Sequence, residues 1–129
     1  MLEESEWTKK MIVEGILIKG LGKASKAMSL CIEGFQSILN EPIVAGTFNI
    51  ELEKNIYLLT PTIKTQGSKF WKVTILKPKK VDVWIYKQIG SEMPDNQLQI
   101  LSQHRLRSYL GIGTNEKICI EINRTNVKQ

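Results

Sequence analysis

Ile16 and Val83, Gly46 and Gly113, and Thr47 and Thr114 each stand 67 positions apart, and the same order of elements runs through both halves of the chain. Each half reads as a strand, a glycine-containing loop, a short strand, an amphipathic helix, a Gly-Thr pair and a further strand. A chain of 129 residues carrying all of these has no room for repeated parallel βαβ crossovers, each of which needs a dozen residues or more. The strands are therefore expected to pair mainly antiparallel, and closing them on one another removes the edges that short strands would otherwise expose. The expected fold is a mainly β barrel with pseudo-two-fold symmetry and two short helices.

The elements follow from periodicity and punctuation. Residues 1–10 are dense in charge and, Trp7 aside, lack apolar periodicity, which predicts a flexible arm. Residues 11–123 form the expected barrel domain, and 124–129 a polar tail. A strand over Met11–Lys19 runs into Gly20-Leu21-Gly22, where two glycines stop it. A short strand is expected near Ala27–Leu30. Ile32, Phe35, Ile38 and Leu39 then share one helical face that Asn40 and Pro42 close. Strands follow at Phe48–Leu52, Ile56–Thr65 and Ser68–Leu76, the last two joined by a hairpin at Gly67. Val81–Lys87, Gln97–Leu101 and Lys117–Asn123 complete the set. A helix presenting Leu106 and Leu110 is expected to be capped at Ser102.

Apolar residues make up 42% of the chain and charged residues 24%, as in ordinary globular domains, which excludes wholesale disorder and fibrous folds. Apolar runs fall far short of the roughly 18 residues a membrane-spanning helix needs, so no membrane partner is expected. The N-terminus, Met-Leu-Glu-Glu-Ser-Glu-Trp, is acidic where a targeting peptide is basic, and the expected compartment is the cytoplasm. Cys31 and Cys119 have neither metal-site spacing nor a disulfide framework around them and are expected to be packing thiols. The net charge of +5 is uneven: Lys64, Lys69, Lys72, Lys77, Lys79, Lys80 and Lys87 share their segment with one acid, Asp82. This run is either a positive field for phosphate groups or a set of lysines that blunts a sheet edge.

Two local patterns carry possible chemistry. Lys19-Gly20-Leu21-Gly22-Lys23-Ala24-Ser25-Lys26 combines two glycines, which leave backbone amides open to an anion, with flanking lysines. It lacks the Gly-Lys-Ser/Thr ending of the Walker sequence and the third glycine of the dinucleotide fingerprint, so a plain tight turn is the competing reading. In Ala45-Gly46-Thr47-Phe48-Asn49, strand alternation puts the Thr47 hydroxyl and the Asn49 amide on one face. Hard oxygens of this kind suit a magnesium ion held largely by water and phosphate, while the competing reading has both side chains bonding local backbone. His104, the only histidine, has no metal or triad partners in the pattern and is expected on a solvated helix face. Phe70, Trp71 and Trp84 have the area to stack on a ring system, but strand aromatics ordinarily fill a core.

Val13 to Ala24, then Phe35 to Asn40, then Gly46-Thr47-Phe48-Asn49-Ile50 resemble the N-terminal half of the archaeal-type CTP-dependent riboflavin kinases. Phe70-Trp71-Lys72-Val73, and Leu106-Arg107 through Lys117-Ile118-Cys119-Ile120, resemble later parts of that family, so the resemblance spans residues 12 to 122. It implies a six-stranded cradle-loop (RIFT-type) barrel that moves a phosphoryl group from CTP to the ribityl 5′-hydroxyl of riboflavin, giving FMN. It implies a nucleotide site at Gly20, Leu21, Gly22, Lys23, Ala24 and Ser25, with Mg²⁺ at Thr47 and Asn49. CTP or another nucleotide and riboflavin or FMN are then the expected partners, the chain is expected to be a monomer, and no general base is assigned. Lys23-Ala24 replace a family glycine segment, Ser91-Glu92-Met93 stand for a Thr-x-His pattern, and Asn96 and Gln99 stand where acids are frequent. The alternatives are a non-catalytic nucleotide- or flavin-binding barrel, and a nucleic-acid-binding barrel using the lysine run from Lys64 to Lys87.

Overall fold

The structure, a computed structural model, describes residues 10–18, 34–44, 48–90, 94–123 and 127–128. The expected glycine loop Gly20–Ser25, the short strand near Ala27–Leu30, Cys31, Thr47 and the Ser91–Met93 segment lie outside the described residues. In chain order the elements are β1 (Lys10–Ile18), α1 (residues 34–39), β2 (Phe48–Leu52), β3 (Tyr57–Leu58), β4 (Ile63–Lys64) and β5 (Ser68–Lys77). They continue with β6 (Val81–Gln88), β7 (Gln97–Leu101), α2 (Leu106–Leu110), β8 (Lys117–Asn123) and β9 (Val127–Lys128).

Seven strands form one antiparallel sheet in the order β4-β5-β6-β7-β2-β1-β8, and β8 also pairs with β5, closing six of them into a ring. Closure depends on β8 bonding along both edges. It runs against β1 from Lys10 opposite Asn123 to Ile16 opposite Lys117. On its other side Thr74 faces Glu121 and Ile75 faces Ile120, after which the register slips so that Lys77 faces Cys119. An irregularity of this kind bends and twists a strand, which is what turning the sheet back on itself requires. β4 is left as a short outer edge, and β3 pairs with β9 in a separate two-stranded sheet. Every neighbour relation in the ring is preserved when β1 is exchanged with β6, β2 with β7 and β5 with β8. The 67-residue spacing suggests the first of these correspondences, but would match β2 with β8 instead.

Alternation along the strands points one row of side chains into the ring. Leu17, Phe48, Ile50, Leu52, Trp71, Val73, Ile75, Val83, Ile85, Leu98, Ile100, Ile118, Ile120 and Ile122 pack there as one buried cluster. A second cluster forms on the outer wall, where α1 lays Phe35 and Leu39 over Phe70, Trp84 and Leu101, with Ile43 beside them. The strand aromatics are thus buried as expected but divided. Trp71 fills the ring, whereas its neighbour Phe70 and its near-opposite Trp84 face outward beneath the helix. Phe35 meets Phe70 edge-on at 5.9 Å and Tyr86 at 5.0 Å between centroids, and Trp84 Nε1 donates to Glu41 Oε1 at 2.8 Å. Phe35→Ala should cost about 3 kcal/mol, since it empties the centre of this outer cluster. Urea denaturation measures it, and a loss below about 1 kcal/mol would mean that α1 hardly contributes to stability.

Several expectations are corrected. Ile38 is 36% exposed instead of joining Phe35 and Leu39 on the buried face. Asn40 closes α1 as expected, adopting left-handed φ of 56°. Ile56–Thr65 yields only the two-residue strands β3 and β4, while the Gly67 hairpin forms with Thr65 N–H donating to the Ser68 carbonyl at 2.8 Å. Ser102 does not cap α2. The N-cap is Arg105, with no side-chain bond, and the buried Ser102 hydroxyl instead accepts from His104 N–H at 3.0 Å. Cys119 lies on the outer face of β8, half-buried, with its thiol 3.8 Å from Glu14 Oε1, so it is not a core thiol.

Candidate functional site

β2 lies between β1 and β7, and its register puts Asn49 opposite Ile18 on one side and Gln99 on the other. Since Phe48 and Ile50 point into the ring, alternation turns Asn49 to the outer wall. Gln99 does the same between the interior residues Leu98 and Ile100, and its other cross-strand partner is Tyr86. A row of side-chain positions therefore crosses four strands on the outside: Ile18, Asn49, Gln99 and Tyr86.

Asn49 is 8% exposed and Gln99 7%, so two amides are buried side by side on the outer wall, next to the Glu51–Gln97 pair of the same two strands. Among the described residues, Asn49 Oδ1 has no hydrogen-bond partner. Leaving a buried carbonyl oxygen unsatisfied costs about 1–3 kcal/mol, so such a group calls for a partner such as water, an ion or a ligand. The oxygen is a neutral, hard donor. Among the described residues no group of three His, Cys, Asp or Glu side chains could hold a metal.

The surroundings come from distant parts of the sequence. Ile18, the last residue of β1 and the one before the Lys19–Lys26 stretch in sequence, is itself the cross-strand partner of Asn49. Val44 N–H donates to the Ser102 carbonyl at 2.9 Å, tying the segment before Gly46 to the end of β7. Leu17 N–H donates to the Glu116 carbonyl at 3.0 Å and Asn115 N–H to the Leu17 carbonyl at 2.7 Å, drawing the loop before β8 onto the same end of β1. On that loop Thr114 Oγ1 accepts from an Arg107 guanidinium nitrogen at 3.3 Å. Arg107 is exposed and is the one basic residue of the last turn of α2. Arg107, bonded to the loop that in turn bonds Leu17, was not singled out as a site residue from sequence. The signal available was the second Gly-Thr pair, Gly113-Thr114, which is visible as a repeat but not as a neighbour of Leu17.

The remaining candidates lie apart. The lysine run does not make one surface. Lys69 and Lys87 face each other near the start of β5 and the end of β6, Lys72 lies 5.6 Å over the Trp84 ring on the outer wall, and Lys77, Lys79 and Lys80 sit at the β5–β6 turn. A ten-residue strand separates the ends of the run by about 30 Å, at roughly 3.3 Å per residue. His104 is exposed just before α2, stacks on Tyr109 at 4.1 Å, and Lys79 Nζ lies 4.0 Å over the Tyr109 ring.

The chain matches no protein-family model and no curated protein. Among the described residues no helix is long and apolar enough to cross a membrane.

Proposed function

We propose that this chain is a riboflavin kinase-like phosphotransferase built on a cradle-loop barrel, with the wall around Asn49 as its nucleotide and magnesium site. The buried Oδ1 of Asn49, without a partner among the described residues, carries the reading, because it offers a hard oxygen at the position the family resemblance gives to the metal. The closed ring of six antiparallel strands supports the barrel, and its exchange of β1, β2 and β5 with β6, β7 and β8 supports a pseudo-two-fold origin. In this reading Thr47 and Asn49 supply protein oxygens, and backbone amides of Gly20 to Ser25 bind phosphate. Arg107, anchored on Thr114, adds positive charge at the same end of β1. Bound Mg²⁺ would offset negative charge on the phosphates. The protein's work is then positioning and charge compensation, the main needs of a loose phosphoryl-transfer transition state.

Gln99 favours a second reading. A neutral amide is the cross-strand neighbour of Asn49 where the family often carries an acid, which weakens both cation binding and proton acceptance. A nucleotide- or flavin-binding barrel without turnover fits that substitution.

Purified protein incubated with riboflavin, CTP and Mg²⁺ should form FMN, read by chromatography with fluorescence detection. In parallel, CTP with Mg²⁺ should raise the melting temperature more than CTP alone, since ligands that bind the native state stabilise it. Stabilisation by nucleotide or flavin without FMN selects the non-catalytic reading, and neither effect rejects both.

A further inference from the structure

Lys69 and Lys87 are direct cross-strand partners on β5 and β6. Counting by twos from Trp71 and Ile85, which pack inside the ring, both lysines take the inward-facing parity. They therefore line the mouth of the ring where β5 begins and β6 ends. Ile18 closes β1 at the other mouth, since β1 and β5 both run antiparallel to β8.

Like charges directly opposite on a sheet repel, and partial burial of both stems strengthens the effect by keeping water away. Both lysines are half-buried, and neither side chain makes an ion pair or hydrogen bond among the described residues. They border a cavity of about 280 Å³ that is also lined by Tyr57, Leu58, Ile89 and Asp95, with Trp71 at its inner end. Trp71 is held there by its Nε1 donating to the Leu59 carbonyl at 3.3 Å, and β3 forms one wall. The cavity thus joins two ammonium groups to an apolar side and one carboxylate.

We propose that this mouth is a binding site for a small phosphomonoester with an apolar body, separate from the wall at Asn49 and independent of its role. The dianionic phosphate satisfies both ammonium groups at once and turns their repulsion into attraction. The apolar body lies against Tyr57, Leu58 and Ile89, and Asp95 accepts from a hydroxyl or amine on it. The volume, at the low end for ligand pockets, limits the guest to a small molecule and excludes a polymer segment.

Phenyl phosphate is the probe, with phenyl sulfate as the monoanionic control and inorganic phosphate as the control lacking a body. Titration of the full chain followed by amide and indole resonances should show saturable binding of phenyl phosphate, with shifts at Tyr57, Trp71 and Ile89. Both controls should bind more weakly. Lys69→Gln and Lys87→Gln, which keep the stems, should each weaken phenyl phosphate binding about tenfold or more, as expected for loss of a charge-assisted bond. Each should melt at or above the wild-type temperature without ligand, because the repulsion is gone. Asn49→Ala should bind the probe normally. The proposal is overturned if folded wild-type protein shows no saturable binding up to about 10 mM, if both variants keep full affinity, or if the shifts map elsewhere. Equal binding of phenyl sulfate would overturn the dianion requirement.

Discussion

Asn49→Ala should leave the fold intact and remove most magnesium-dependent nucleotide affinity. The buried Oδ1 makes no bond among the described residues that a substitution could break, so stability should change by less than about 1 kcal/mol. The near-isosteric Asn49→Leu should be neutral or stabilising, because it removes a buried acceptor that has no partner among the described residues. If Asn49 served only to tie down backbone, Asn49→Ala would cost roughly 1 kcal/mol and leave ligand binding untouched. Calorimetric titration with CTP, with and without Mg²⁺, separates the two. Loss of one of few protein oxygens on the ion should lower affinity in magnesium by about tenfold and change little in its absence. An unaltered magnesium dependence in the folded variant would remove Asn49 from the site and take the proposed function with it.

Gly15→Val should be the most damaging single substitution in the ring. Gly15 pairs with Leu52 on one side and Ile118 on the other, at the crossing where β1 joins both neighbours. A Cβ added there would stand 2.6 Å from the Glu51 carbonyl oxygen and 2.8 Å from Ile50 Cγ2. The first of these atoms belongs to the backbone of the adjoining strand and cannot turn aside, so β1 and β2 would have to separate. The expected loss is roughly 3 kcal/mol or more, at the upper end for overpacking, with a matching fall in the urea midpoint. Gly15→Ala should show the same direction with a smaller effect. A Gly15→Val protein as stable as the wild type would mean that β1 and β2 approach less closely than the registers require.

These two residues illustrate different degrees of legibility. The outward direction of Asn49 was readable, because alternation along Phe48–Leu52 turns it away from the ring once Phe48 and Ile50 point inward. What was not readable was that its oxygen is buried without a partner among the described residues, which depends on Gln99 and Ile18 arriving from β7 and β1. Gly15 looked like an ordinary strand residue, and only the approach of Glu51 reveals why a side chain is excluded. Arg107 likewise gains its interest from Thr114 and from Asn115 bonding to Leu17, contacts that link separate turns of the chain.

The strands themselves were determined by the sequence. Phe48–Leu52, Gln97–Leu101 and Lys117–Asn123 emerge with the expected bounds, and Ser68–Lys77 and Val81–Gln88 extend theirs by one residue, because period-two alternation and glycine or proline punctuation act within a few residues. Local pattern failed where a second surface decides the outcome. Ile56–Thr65 has the composition of a strand but finds partners only for Tyr57–Leu58 and Ile63–Lys64. Phe70 and Trp84 are apolar on the outer wall because α1 covers them, while Cys119 on the outer face of β8 remains half-exposed. The lysine run is continuous in sequence yet divided between the two mouths and the wall, since an extended strand spaces its ends far apart. Ring closure is also a tertiary decision: β8 must meet β5 across more than forty residues of chain, through a register slip between Ile75 and Lys77 that no local pattern announces. Alternation is a property of one strand, whereas partners, coverage and closure are properties of pairs of strands, and only packing energy summed over the whole ring selects among them.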